Sequence, residues 1–292
     1  MLDLKRIRFE MEAVREQLAK RSDPELGPSL DELLRLDEER RALIQSGELL
    51  KARRNEASKE IAERKKSGED ASSLIEEMRG AADEIAQGDD RLKKVEDQIA
   101  ALLLRVPNTP LPNVPAGDES ANELVRTWGE PLDPAAWRKP HWELGVSLGL
   151  LDLERGAKLA GSGFPLYIGA GARLQRALIT FMLDLHLDEH GYVEVYPPYL
   201  ATGRTMTGTG QLPKLAADAY GISGDDLWLI PTAEVPLTTL HADEVLGPGE
   251  LPRRYVAYSA CFRREAGAAG RETRGITRVH QFDKVELVRV ER

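Results

Sequence analysis

The chain has 292 residues, one cysteine and a formal net charge of −9, from 40 Lys+Arg against 49 Asp+Glu. That length suffices for a compact core and for more than one domain. The acidic balance excludes nucleic-acid binding driven by overall charge, so any such contact needs a local basic patch.

Residues 1–22 read as one short amphipathic helix, with Leu4, Ile7, Met11, Val14 and Leu18 on a common stripe. The opening stretch is charged throughout and lacks the apolar centre of a signal peptide. Asp23-Pro24 and Gly27-Pro28 are expected to break this helix before a long run extends to about Lys66. A turn at 65–70 follows, and a second run continues to about Val106.

Met78, Ile85, Leu92, Ile99 and Val106 recur every seven residues, with Ala81, Gly88, Val95 and Leu102 three positions on. Such three-four alternation is the seam of a coiled coil. Leu36, Leu43, Leu50 and Ala57 repeat the period in the first run, beside Leu33 and Ile61. One short turn between two similar runs predicts an antiparallel hairpin over about 28–106, each helix on the order of 55 Å long. Such an arm is either an oligomerisation strut or a reach toward something large. Lys51, Arg53, Arg54, Lys59, Arg64, Lys65 and Lys66 crowd the outer half of its first helix, opposite or beside Glu56, Glu60 and Glu63. They suit a phosphate backbone, or equally an ordinary solvated face.

Pro107, Pro110, Pro112 and Pro115 make 107–119 a stiff linker, dividing a helical domain over 1–106 from a second domain over 120–292. The second domain alternates helices with short β-rich runs, an α+β pattern. A helix is predicted over 173–189, its apolar stripe comprising Leu174, Ala177, Leu178, Phe181, Met182 and Leu185, and a strand over 192–196. MTGTGQLPKL at 206–215 reads as a glycine-containing loop with Lys214, and LIPTAEVPL at 229–237 as a strand edge carrying Thr232 and Glu234. Alternating runs at 255–258 and 279–290 predict two antiparallel strands. A long cationic loop joins them, with Arg263 and Arg264 just before Glu265, Arg271, Arg274 and Arg278 after it, and Glu286 beyond. Guanidiniums held by strands suit a polyphosphate, whose oxygens the planar fork can grip in pairs. Cys261, within a strand-like run, reads as a small buried apolar residue. The five histidines are scattered without cysteine partners, so no zinc or other metal site is expected. No apolar run approaches the roughly 18–20 residues of a membrane span, and a soluble, cytoplasmic protein is the expectation.

Taken in order, LQRALITFMLDLHLDEHGYVEVYPPYL, TGTGQLPK, PTAEVPL and FRREAGAAGRETRGITRVHQFDKVE resemble seryl-tRNA synthetase of the bacterial type, a class II aminoacyl-tRNA synthetase. The resemblance covers nearly the whole chain. It implies an antiparallel coiled-coil arm, then a class II antiparallel β-sheet domain flanked by helices. It implies a serine–tRNA ligase that forms seryl-adenylate from L-serine and ATP, with magnesium, and transfers serine to serine tRNA, with selenocysteine tRNA a second candidate. Matching positions make Arg263 and Arg278 catalytic, holding the α- and γ-phosphates. They give ATP-binding roles to Arg264, Glu265, Val279 and Phe282, with Glu265 on the same strand face as Arg263 and reading adenine, Phe282 stacking on it and Val279 using its backbone. Thr232, Ala233, Glu234, Arg263 and Glu286 would bind serine. Arg278, Phe282 and Glu286 are four apart and would share one face of a regular strand. Arg271 and Arg274 would contact ATP or the tRNA acceptor end, and the small residues Gly267, Ala268, Ala269 and Gly270 would permit movement. The arm, through Lys51, Arg53, Arg54, Lys59 and Arg64, would bind the variable arm and elbow of the tRNA, and the helix over 173–189 would lie at a homodimer interface.

The chain ends six residues after Glu286, before the family's third motif. An incomplete catalytic domain, with an exposed sheet edge around Val285, Leu287, Val288 and Val290, is therefore the expectation. Two alternatives remain: a non-catalytic tRNA-binding protein, and an amino acid:carrier-protein ligase, against which the arm counts.

Overall fold

The computed structural model describes residues 2–130, 138–266 and 274–292. The chain forms two compact units, Met1–Trp128 and Gly129–Arg292.

The first unit is helical. Its N-terminal stripe folds as two helices, α1 (Leu4–Phe9) and α2 (Met11–Ala19), where the sequence suggested one. Glu10 leaves the helical region at φ −127° and ψ 33°, and the resulting bend brings Ile7, Val14 and Leu18 together in full burial. α3 (Leu26–Ser67) also corrects the expected start, since Gly27-Pro28 lies inside its first turn. Proline is tolerated there because first-turn amides have no intrahelical acceptor to lose. α3 ends at Gly68, left-handed at φ 77°, and α4 (Ser72–Leu103) runs back along it.

At 1.5 Å per residue, the 42 residues of α3 and 32 of α4 span roughly 63 and 48 Å. Ion pairs record the antiparallel register: Arg40–Glu96, Lys51–Asp89 and Arg53–Glu77 climb one helix as they descend the other. The seam is apolar at both ends. Leu30, Leu33 and Leu36 pack with Val95, Ile99, Leu103 and the α1–α2 residues at the base, and Ala57 packs with Met78 and Ala81 toward the tip. Proline-rich residues after α4 are tied to the base, where Lys20 Nζ donates to the carbonyls of Pro112 (2.7 Å) and Val114 (2.8 Å).

The second unit is α+β. After α5 (His141–Ser147) and α6 (Leu153–Ala160) comes α7 (Ala170–Asp188). The predicted strand over 192–196 shrinks to β1 (Val193–Glu194), parallel to β5 (Arg253–Phe262). β5 pairs antiparallel with β6 (Gln281–Val290) at the sheet's edge, and α7 packs on this sheet. β2 (Leu200–Thr202), β4 (Leu227–Leu229) and β3 (Tyr220–Gly221) form a second sheet, with α8 (Gly203–Gly208) after β2.

The expected strand edge over 229–237 is corrected. β4 stops at Leu229 and α9 (Glu234–Thr238) begins after four intervening residues. Thr232 starts this turn locally, its Oγ1 accepting from Glu234 N at 3.2 Å. Pro236 falls in the first helical turn, where its missing N–H costs nothing.

Candidate active site

A cleft of about 450 Å³ opens between the end of β5, α8, α9 and β6. Arg263, Glu265, Arg278, Thr232, Glu234, Asp218 and Lys284 line it, with Pro231, Gln211 and Met206.

The sheet register places one lining residue, Lys284. Cys261 lies opposite Phe282, Ser259 opposite Lys284 and Ala257 opposite Glu286, so these six share one face. Ser259 and Cys261 are fully buried, and burial pushes the Cys261 thiol above its ordinary range. On the other face, burial and a 2.8 Å hydrogen bond to Asp283 push the Tyr258 phenol up strongly.

Arg263, Glu265 and Arg278 reach the cleft from outside the strands, a correction to their expected placement. β5 stops at Phe262 and β6 starts at Gln281. Phe282 and Glu286 do share a strand face, but Arg278 does not belong to that strand. It arrives through an ion pair instead, Arg278 Nη1 donating to Glu265 Oε2 at 2.9 Å. Glu265 holds a left-handed backbone, φ 48°.

Arg263 is fixed from three sides. Its N–H donates to His280 O (2.9 Å), its own carbonyl lies 3.0 Å from His280 Nδ1, and its Nη2 donates to Pro231 O at 3.5 Å. Its guanidinium carbon stands 5.0 Å from the Phe282 ring centroid, a cation–π distance. Phe282 thus braces Arg263 and is absent from the cleft lining. Arg264 turns away, over Tyr220 at 5.3 Å, and Val279 is buried.

At the deep end, Thr232 is 3% exposed, and its hydroxyl donates to Glu286 Oε2 at 2.8 Å. Lys284 Nζ pairs with the same carboxylate oxygen. Ala233 is fully buried and is not among the lining residues. Among the described residues the cleft therefore offers three cations, Arg263, Arg278 and Lys284, beside the Thr232 hydroxyl and the carboxylates of Glu234, of Glu265, which is paired with Arg278, and of Asp218, whose Oδ1 already accepts from Ala266 N. A group with several anionic oxygens and one ammonium matches that inventory.

Sequence reasoning missed Lys284, Asp218 and His280. Lys284 was findable, since it lies between Phe282 and Glu286 on the alternation already used for them. Asp218 and His280 act through backbone contacts that leave no sequence signature. Lys214 is not among the lining residues, although Gln211 and Leu215 of the same segment are. Arg271 and the residues Gly267, Ala268, Ala269 and Gly270 lie outside the described residues, whereas Arg274 stacks over Trp142 at 5.3 Å.

In the first unit Lys51, Arg53, Arg54 and Lys59 are exposed and Arg64 is half-buried. Lys51 pairs with Asp89 at 2.9 Å, Arg53 with Glu77 and Arg64 with Glu60. Among the described residues, Arg54 and Lys59 make no ion pair.

Residues 1–110 match the Seryl-tRNA synthetase N-terminal domain, and 221–291 the tRNA synthetase class II core domain (G, H, P, S and T). The chain is 51% identical over 290 residues to the serine–tRNA ligase of Gemmatimonas aurantiaca, covering 99% of this chain and 68% of that protein. It is 52% identical to that of Carboxydothermus hydrogenoformans, with the same coverage. The crystal structure of seryl-tRNA synthetase from Pyrococcus horikoshii complexed with ATP superposes with a TM-score of 0.89 at 37% identity, over 98% of this chain and 69% of that one. The Naegleria fowleri cytoplasmic serine-tRNA ligase in complex with AMP gives 0.81 at 27%, over 98% and 70%.

Proposed function

The chain belongs to the seryl-tRNA synthetase family, and from that premise we propose that it acts as a serine–tRNA ligase whose cleft takes ATP and L-serine. In the first step a serine carboxylate oxygen attacks the α-phosphorus of ATP. The new O–P bond forms as the bond to pyrophosphate breaks, giving seryl-adenylate. A hydroxyl at the tRNA acceptor end then attacks the serine carbonyl carbon, and AMP leaves.

Charge builds on the α-phosphoryl oxygens during attack. Arg263 is the cation for them, pre-oriented by His280, Pro231 and Phe282, so little reorganisation is needed as the charge develops. Arg278 is the γ-phosphate cation, released to the nucleotide from Glu265, which then faces the adenine. Arg264, on leaving the Tyr220 ring, and the Val279 backbone border the nucleotide, and Phe282 acts by bracing Arg263. Thr232, the Ala233 backbone, Glu234 and Glu286 hold serine, with the Thr232 hydroxyl and the Glu234 carboxylate on its ammonium. ATP arrives as its magnesium complex, so the ion belongs to the substrate.

The arm takes the variable arm and elbow of serine tRNA, through Arg54 and Lys59 directly and through Lys51, Arg53 and Arg64 once they exchange acidic partners for phosphates. α7 supports a homodimer, since Leu174, Leu178 and Phe181 are 55%, 50% and 62% exposed. The compartment is the cytoplasm.

One observation supports the reading most: Arg263, Glu265, Arg278, Thr232 and Glu234, from separate stretches of sequence, line one cleft. Serine-dependent ATP–pyrophosphate exchange tests it. Exchange should require serine and fall at least about 100-fold in Arg263→Ala, the scale for losing one transition-state charge contact. Exchange driven equally by another amino acid would overturn the serine assignment.

A further inference from the structure

We propose that Asp218 and the His141–Trp142 pair form a two-sided clamp on the limbs of the arginine-rich loop, setting where Glu265 and Arg278 meet in the cleft. The proposal rests on reading that cleft as the ATP site, and neither side of the clamp belongs to the arginine motif.

The incoming limb is held by one residue. Arg264 N donates to Asp218 O at 2.7 Å, and Ala266 N donates to Asp218 Oδ1 at 2.6 Å. Glu265 lies between these two anchored amides, at the positive φ that L residues seldom adopt. Capturing the amide on each side holds this unfavourable conformation, from which the Glu265 carboxylate meets Arg278.

The outgoing limb is held from far upstream. Ile276 N donates to His141 Nε2 at 2.9 Å. That nitrogen must therefore carry its lone pair, with the imidazole proton on Nδ1. Gly275, at φ +80°, fits against the same pair: a Cβ there would stand 2.1 Å from His141 Nε2 and 2.9 Å from Trp142 Cε3. Arg274 stacks its guanidinium over the Trp142 ring at 5.3 Å. Three contacts of different kinds thus converge on residues 274–276, just before Arg278.

On the strand side of both clamp points, the mutual hydrogen bonds of Arg263 and His280 tie the limbs together. Arg263 is therefore positioned without the clamp, whereas the Glu265–Arg278 pair lies on its far side and depends on it. His141 and Asp218 are positioning residues. Their loss should weaken the hold on the nucleotide and leave serine, bound by Thr232 and Glu234, untouched.

Four variants of the full chain test this: His141→Ala, His141→Gln, Asp218→Ala and Asp218→Asn. For each, ATP and serine affinity are measured by calorimetry, thermal midpoint by circular dichroism, and tryptic cleavage after Arg274 without ligand by mass spectrometry. His141→Ala should weaken ATP about tenfold, the upper value for one lost positioning hydrogen bond, and speed cleavage after Arg274, with serine affinity unchanged. His141→Gln keeps an acceptor for Ile276 N–H and should restore both. Asp218 gives a test of sign: removing a carboxylate from a phosphate site by charge alone strengthens ATP binding. Asp218→Ala should weaken it instead, whereas Asp218→Asn, which keeps the Oδ1 acceptor, should bind ATP at least as well as wild type.

Wild-type ATP affinity and cleavage rate in His141→Ala would overturn the proposal. So would parallel losses of ATP, serine and thermal midpoint that glutamine does not rescue. Failure of the parent reading looks different: the wild-type chain would not bind ATP, while cleavage after Arg274 would still respond to His141→Ala and be rescued by glutamine.

Discussion

Asp37 is fully buried within α3, and it stays a carboxylate there because guanidiniums reach it. Burial pushes its pKa up. The Arg8 fork, at 2.6 Å to each oxygen, and Arg41 at 3.2 Å outweigh that, holding it below the usual 3.8. A carboxyl depressed in the folded state stabilises the arm's base above pH 3.8, and that contribution disappears as pH falls through the lower folded value. Asp37→Asn should therefore cost about 3 kcal/mol at neutral pH. In thermal melts the gap to wild type should close as pH drops below 3.8; a gap independent of pH would contradict this account. Cys261 was legible as a buried small residue. Because burial also pushes its thiol up, it should resist alkylation in the native chain at pH 8 and react stoichiometrically in denaturant. Ready labelling of the folded chain would contradict its placement on the inner face of β5. Asp37 itself gave no sequence signal. Its partner Arg8 is 29 residues away, and only the base packing of α1 brings the two together.

Among elements, the arm was the most legible because a seven-residue period over thirty residues admits few other structures. The strands around the arginine loop were legible from two-residue alternation. Short segments were not. LIPTAEVPL carries β-branched residues that suit a strand, yet the local bond that Glu234 N donates to Thr232 Oγ1 commits it to a helical turn. The N-terminal stripe kept its apolar positions but not its continuity, since periodicity locates a face and says little about a one-residue break. The tip of the arm offers an element-scale test. A Cβ at Gly68 would meet nothing within 4 Å, so any cost of Gly68→Ala comes from its φ of +77° alone. The arm should lose about 1 kcal/mol, seen in its thermal unfolding. A neutral substitution would mean that the turn rearranges freely.

At the scale of the molecule, the site was legible through resemblance more than through geometry. Arg263, Glu265, Arg278, Thr232 and Glu234 do line one cleft, but two arginines thought to lie on strands reach it from loops, and Lys284 joins them unannounced. α7 buries only Gly171 within the unit and leaves its apolar stripe largely exposed. The proposed homodimer covers that face. Phe181→Asp should convert a dimer to a monomer in sedimentation equilibrium, with the far-ultraviolet spectrum unchanged. A monomeric wild-type chain at micromolar concentration would contradict it.

The central claim is that Arg263 holds ATP in the cleft where Thr232 and Glu234 hold serine. Calorimetric titration of ATP into the wild-type chain and into Arg263→Ala tests it most directly. Loss of one charge-assisted contact predicts ATP binding weakened at least about tenfold, with serine affinity reduced far less. Equal ATP affinity in the two proteins would contradict the account.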